Sequence, residues 1–259
     1  MKMVRFEHVT KRFGSKTVLD DVSYSIEKGE TFVIVGRSGA GKSVSLQHMI
    51  RLLMPDAGKV FIGDTCISEA TGRELSSALG RFGVLFQSAA LLQWLNVLDN
   101  VCLPLRQKTN LPEAEILRRA KEKLEMVGLP DAGEKMPDKI SGGMQKRVGL
   151  ARAIVTDPEI VLYDEPTSGL DPVISRQIDL LIDSLRVKLN VTSVVVTHDL
   201  YSALRIGTHV AMLHEGKFVI CAPPAEFVES THPIVRQFLR AQGIASLGDI
   251  QKAFENENV

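Results

Sequence analysis

The sequence predicts an α/β domain built on a largely parallel sheet, and three observations carry that expectation. Short β-branched runs that read as buried strands alternate with longer, helix-like segments. One such run, residues 31–35, leads through a glycine-rich loop straight into a helix. The chain has 259 residues, 44% of them apolar, enough to bury one large core or a core with a subdomain.

Residues 4–9 and 17–26 read as strands. The turn Glu27-Lys28-Gly29-Glu30 separates them from Thr31-Phe32-Val33-Ile34-Val35, which is short, β-branched and aromatic, as a buried central strand is. A helix is expected over residues 42–53, broken by Pro55-Asp56-Ala57-Gly58 before a strand at 59–62. Residues 80–86 read as a strand ending at Gln87. Residues 113–127 read as a helix, with Pro112 just ahead of it and Leu117, Leu124 and Val127 on one face. Residues 159–163 and 191–196 are further buried strands, each followed by a turn carrying acidic or His residues. Residues 244–259 are polar and weakly patterned, and read as a tail.

Composition excludes several classes. Thirty-one basic and 31 acidic side chains cancel, so no basic excess points to nucleic acid. Cys66, Cys102 and Cys221 form no CxxC pair and are expected to be buried free thiols. The opening residues alternate like a strand rather than forming a signal peptide, and no window has the ~20 apolar residues of a membrane helix. A soluble protein is expected, whose membrane role, if any, runs through a partner. His8, His48, His209, His214 and His232 lack metal-ligand spacing, and the Arg118, Arg119, Lys121, Lys123 run reads as a solvated helix face.

Gly36-Arg37-Ser38-Gly39-Ala40-Gly41-Lys42-Ser43 matches G-x-x-x-x-G-K-[ST] between a strand and a helix, the context that a phosphate-binding loop requires. Its glycines let backbone amides turn toward a β-phosphate, and the helix start adds partial positive charge. Lys42 is placed to reach the β- and γ-phosphates of ATP, and the Ser43 hydroxyl to ligate Mg²⁺. Ile160-Val161-Leu162-Tyr163-Asp164-Glu165 ends an apolar strand on two carboxylates. Asp164 suits the Mg²⁺ shell, and Glu165 suits a general base that polarises the attacking water. Ser141 sits where an N-cap belongs. Gly142 and Gly143 follow it into an amphipathic helix, a second anion-binding helix start.

The stretch Ile140-Ser141-Gly142-Gly143-Met144 resembles the signature of the ABC (ATP-binding cassette) family, with Met144 where Gln is usual. The resemblance runs from about residue 3 to residue 221. It implies a P-loop NTPase (RecA-like) core with an N-terminal antiparallel β subdomain, at 1–86 and 157–221. An inserted α-helical subdomain would occupy 87–156, and a C-terminal helix and tail 222–259. It further implies that Gln87 senses Mg²⁺ and water and that His198 contacts the γ-phosphate. Asp171, in Ser168-Gly169-Leu170-Asp171, would cross a dimer interface, and Phe13 would stack on adenine. ATP would lie between the P-loop of one copy and the signature of a second, so a homodimer is implied.

Leu85-Phe86-Gln87-Ser88-Ala89-Ala90-Leu91, then Asn96-Val97-Leu98-Asp99-Asn100-Val101 and Leu103-Pro104-Leu105-Arg106, look like the Mla/Mce-type lipid transport ATPases, and Met144 fits that branch. This implies phospholipid transport on the cytoplasmic side of an inner membrane. The partners would be transmembrane permease subunits, an Mce-domain lipid-binding protein and a STAS-domain protein. Trp94 reads either as subdomain core or as the wall of a permease-binding groove. Val235, Phe238 and Leu239 read either as a closing helix on their own core or as part of a tail that crosses to the second copy. The competing expectation is the ATPase of an importer for amino acids, metals or another small solute.

Overall fold

The computed structural model describes residues 1–256, without the side chains at 251, 253, 255 and 256. Its contacts divide the chain into two units, Met1–Thr71 with Val195–Val259, and Gly72–Val194. In this division residues 222–256 lie within the first unit, and the second unit extends on both sides of 87–156.

The first unit opens with β1 (Lys2–Phe13) and β2 (Lys16–Glu27), a long antiparallel ribbon. β3 (Thr31–Val35) and α1 (Lys42–Met49) follow, then β4 (Ala57–Ile62) and β5 (Thr65–Cys66). The four antiparallel strands are ordered β2-β1-β4-β5. α1 stops four residues short of the expectation. Arg51 turns into the left-handed region at φ 56°, and the amides of Leu52 and Leu53 both return to the Gln47 carbonyl, closing the helix end.

The second unit holds α2 (Gly72–Gly80), β6 (Phe82–Leu85), α3 (Val97–Lys108), α4 (Glu113–Met126), α5 (Gly142–Ile154), β7 (Ile160–Asp164) and α6 (Pro172–Leu189). β6 and β7 pair in parallel, Phe82 opposite Ile160. On α4 the buried face runs through Ile116, Ala120, Leu124 and Val127, and Leu117 is only half-buried, one step off the expected stripe. The cationic run is not wholly solvated either. Lys123 is 8% exposed, its ammonium 2.6 Å from the Asp157 carboxylate, whereas Arg118 lies on the surface between Glu115 and Glu122.

β8 (Thr192–Thr197) carries the chain back into the first unit. There α7 (Leu200–Ile206), β9 (His209–His214), β10 (Lys217–Ala222), α8 (Pro224–Glu229), α9 (Pro233–Ala241) and α10 (Leu247–Asn256) complete it. β9 runs parallel to β3 and antiparallel to β10. The turn between β9 and β10, Glu215-Gly216, has both φ angles positive, the geometry that matches strand twist in a two-residue hairpin. Every residue of β3 is buried, as its sequence predicted. Tyr24 stacks on Phe6 at 4.5 Å and on Phe32 at 5.4 Å, and meets the edge of Phe218, so one aromatic column joins β1, β2, β3 and β10.

Val235 and Leu239 of α9 are fully buried, as in a closing helix on its own core, while Phe238 is half-buried. The segment expected as a tail contains α10, whose Phe254 ring lies 4.6 Å from the Arg205 guanidinium; residues 257–259 lie outside the described residues. Of the three free thiols only Cys102 is buried; Cys66 is half-buried and Cys221 exposed. Among the described residues no helix is long and apolar enough to cross a membrane.

Candidate nucleotide site

The expected site residues fall into two sets, one on each unit. On the first, β3 delivers Gly36 at the mouth of the loop, and α1 begins at Lys42 behind Gly41. Gly36 has φ 155°, and a Cβ there would overlap the Leu213 carbonyl oxygen on β9, so the loop can leave the strand only without a side chain. Arg37, Ser38 and Gly39 are exposed and Ala40 half-buried, while Lys42 is 7% exposed. The Lys42 ammonium donates to the carbonyls of Gly36 at 3.0 Å and Arg37 at 3.3 Å, which curls it over the loop it serves. Ser43 is half-buried in the first turn of α1.

A cleft of about 470 Å³ lies against Arg37 to Ala40, walled by Lys16 to Val18 and by His214 to Gly216. Lys16 pairs across the β1–β2 ribbon with Phe13, whose ring is 47% exposed and lies 5.5 Å from the Lys11 ammonium. An open aromatic face beside a glycine-lined, helix-capped loop fits a purine nucleotide: stacking for the base, amides and a lysine for the phosphates. His214 lacks metal-ligand spacing in the sequence, and nothing there pointed to its place on this cleft. His198 is exposed just after β8, where the Asp199 amide donates to Thr197 Oγ1 and the Asp199 carboxylate caps α7.

On the second unit, β7 ends at Asp164, and Glu165 follows in the left-handed region at φ 49°. A non-glycine residue held there is strained, as residues at functional sites often are. Gln87 follows β6 and is exposed, its side-chain amide donating to Ser168 Oγ at 3.4 Å. Ser141 caps α5, accepting from the Met144 amide at 3.3 Å, as its sequence position predicted. Gly142 is exposed at that helix start, and Gly143 is buried against Ile174 of α6. The Asp171 carboxylate caps α6, accepting from the Ile174 amide at 3.0 Å, so it has a local structural task whatever else it contacts.

Lys146 has no role in the sequence reading. It is 5% exposed, and its ammonium donates to the Gln87 carbonyl and, at 3.1 Å, to the Glu165 carbonyl. Burial lowers its pKa, while the nearby Glu165 and Asp164 carboxylates pull the other way. The signal was available: Lys146 lies one turn from Gly149 and Leu150 on the buried face of α5, where a cation must find acceptors. Arg152, two turns along, donates to the carbonyls of Ala89 and Ala90, both at positive φ.

The donor set proposed for Mg²⁺ is all oxygen, from a serine, a carboxylate and an amide, which suits a hard cation that keeps substrate oxygens in its shell. Among the described residues no cluster of three or more His, Cys, Asp or Glu forms a separate metal cage.

The family model described as ABC transporter matches residues 19–168. Among curated proteins, the chain is 42% identical over 245 residues to a probable ribonucleotide transport ATP-binding protein, mkl, of Mycobacterium leprae, covering 95% of this chain and 71% of that protein. It is 35% identical over 240 residues to the intermembrane phospholipid transport ATP-binding protein MlaF of Haemophilus influenzae, covering 93% and 91%. Among solved structures, a dimeric, post-hydrolysis ATP-binding cassette bound to ADP and Pi superposes with TM-score 0.78 at 33% identity, over 86% of this chain and 99% of that one. With more than half of its length matched by that model, the chain belongs to the ABC transporter family, as an ATP-binding subunit that couples ATP hydrolysis to transport.

Proposed function

We propose that this subunit works as a homodimer on the cytoplasmic face of an inner membrane and powers phospholipid transport through a separate permease. Two readings support the lipid assignment: the run from Leu85 to Arg106 in the sequence and the likeness to a phospholipid transport ATPase over nearly the full length of both chains. The first relative named above is called a ribonucleotide transporter, so substrate identity is the point to be tested. An Mce-domain lipid-binding protein and a STAS-domain protein are the partners proposed with the permease.

In the proposed reaction, Gly36 to Ser43 grip the phosphates of ATP, with Lys42 on the β- and γ-phosphoryl oxygens and Phe13 under adenine. Ser43, Asp164 and Gln87 would hold Mg²⁺, which when bound would neutralise charge on the transferring phosphoryl group. Glu165 takes a proton from water as the water oxygen bonds to the γ-phosphorus and the bond to the ADP oxygen breaks. His198 and the amides at Ser141 to Gly143 of the second copy hold the γ-phosphoryl oxygens, and Asp171 lies at the dimer interface. The RecA-like core is proposed at 1–86 and 157–221, the helical subdomain at 87–156, and the C-terminal element at 222–259.

Trp94 carries the permease contact. It is 74% exposed, which overturns its reading as subdomain core. Near it in sequence, Phe86 is 40% exposed on a cleft of about 320 Å³ shared with Leu103, Pro104 and Arg152. Apolar side chains left open beside polar ones mark a protein contact. The deciding experiment is purification of the intact membrane complex with mass spectrometry of its bound molecule. Co-purified phospholipid with an Mce-domain subunit is expected. A complex that carries an amino acid, a metal or a nucleotide, with no lipid, overturns the assignment.

A further inference from the structure

We propose that Lys146 is a positioning residue for hydrolysis: from the signature helix it holds the backbone of Gln87 and of Glu165, so that the helix sets both groups together. The observation is a closed ring of hydrogen bonds. The Lys146 ammonium donates to the Gln87 carbonyl and to the Glu165 carbonyl. The Gln87 side chain donates to Ser168 Oγ, and the Ser168 amide donates back to the Glu165 carbonyl at 3.2 Å. One cation therefore ties together the residue proposed to sense Mg²⁺, the residue proposed as base, and the helix whose first turn is proposed to meet the nucleotide.

Three features argue that the ring positions these groups and does not merely fill space. Lys146 is 5% exposed, so its donors depend on these carbonyls for partners. Glu165 sits at φ 49° immediately before Pro166, a conformation that an outside contact must hold. The same helix repeats the device six residues on, where Arg152 grips the carbonyls of Ala89 and Ala90, whose φ angles are 58° and 47°. Two cations of α5 thus grip the segment from Gln87 to Ala90. A movement of α5 is transmitted to Gln87 and Glu165 through bonds that are charge-assisted and short of solvent.

This inference rests on the reading of Glu165 as the base, and the experiment separates the two. The full-length protein is compared with Lys146→Met, Lys146→Arg and Glu165→Gln for kcat, KM for ATP and equilibrium nucleotide affinity. Lys146→Met should lower kcat by about ten-fold or more, the size expected for a lost charge-assisted bond, with affinity within about two-fold. Lys146→Arg, which keeps the cation, should return kcat to within about three-fold. If Lys146→Met does not fold, Lys146→Gln takes its place with the same two readings. Unchanged kcat overturns the proposal, as does a parallel fall in kcat and affinity, which marks a purely structural lysine. If Glu165→Gln hydrolyses ATP at the wild-type rate, the role of Glu165 fails instead, whatever Lys146 does.

Discussion

At the scale of single residues, two glycines of the phosphate loop make different demands on the chain. Gly36 leaves β3 where any Cβ would overlap the backbone oxygen of Leu213, and that oxygen belongs to a strand and cannot yield. Gly39 has φ 78°, but nothing lies within 4 Å of its Cβ direction, so only left-handed strain of about 1–2 kcal/mol opposes a side chain there. Gly36→Ala should therefore unfold at markedly lower urea than wild type and lose ATP binding. Gly39→Ala should lose about 1 kcal/mol and stay folded. Equal losses in urea titration would show that the overlap at Gly36 is relieved by movement. The motif spacing made both glycines legible, yet it could not rank them, because the obstructing oxygen lies on β9, far along the chain. Lys146 escaped for the same reason. Its position on the buried face of α5 could be read, but its acceptors come from two other segments.

At the scale of elements, the stretch that suggested a lipid-transport branch also has a local explanation. Asn96 caps α3, accepting from the Asp99 amide at 2.7 Å. Asn100 is fully buried and serves the preceding loop: its oxygen accepts from the Leu92 amide, and its nitrogen donates to the carbonyls of Leu92, Leu95 and Asn96. That loop carries Trp94, so a buried amide on a rigid helix presents the exposed indole. Asn100→Ala strands several buried backbone groups, each costing on the order of 1–3 kcal/mol, and should destabilise the protein by about 2–4 kcal/mol. Hydrogen exchange should quicken in residues 91–96 first. Trp94→Ala should leave stability and ATP affinity unchanged and weaken permease capture in a pull-down; undiminished capture would remove Trp94 from the contact. The buried strands at 31–35, 159–163 and 191–196 and the helix at 113–127 were legible from periodicity, whereas α2, α3 and α6 were not assigned, and α1 ended early at a left-handed Arg51 that no pattern announced.

At the scale of the whole molecule, each chain carries one phosphate loop and one signature helix start, and the proposed mechanism needs the loop of one copy to meet the signature of another. A head-to-tail arrangement of this kind makes a sharp prediction about mixtures. Lys42→Ala damages the loop and leaves the signature intact; Ser141→Arg does the reverse. Either variant alone forms only dimers in which every site has one damaged half, so neither should hydrolyse ATP, although Ser141→Arg should still bind it. In a mixed dimer, one site combines two damaged halves and the other combines two intact ones. Random pairing of equal amounts then leaves about a quarter of all sites whole, and hydrolysis should return on mixing to roughly that share of the wild-type rate. If each chain completed its own site, mixing would restore nothing. Light scattering of Glu165→Gln with ATP and Mg²⁺ gives the physical counterpart: the mass should double on adding nucleotide, because a dimer that cannot hydrolyse its ATP has no way to open, whereas a strictly monomeric trapped variant would refute the shared site.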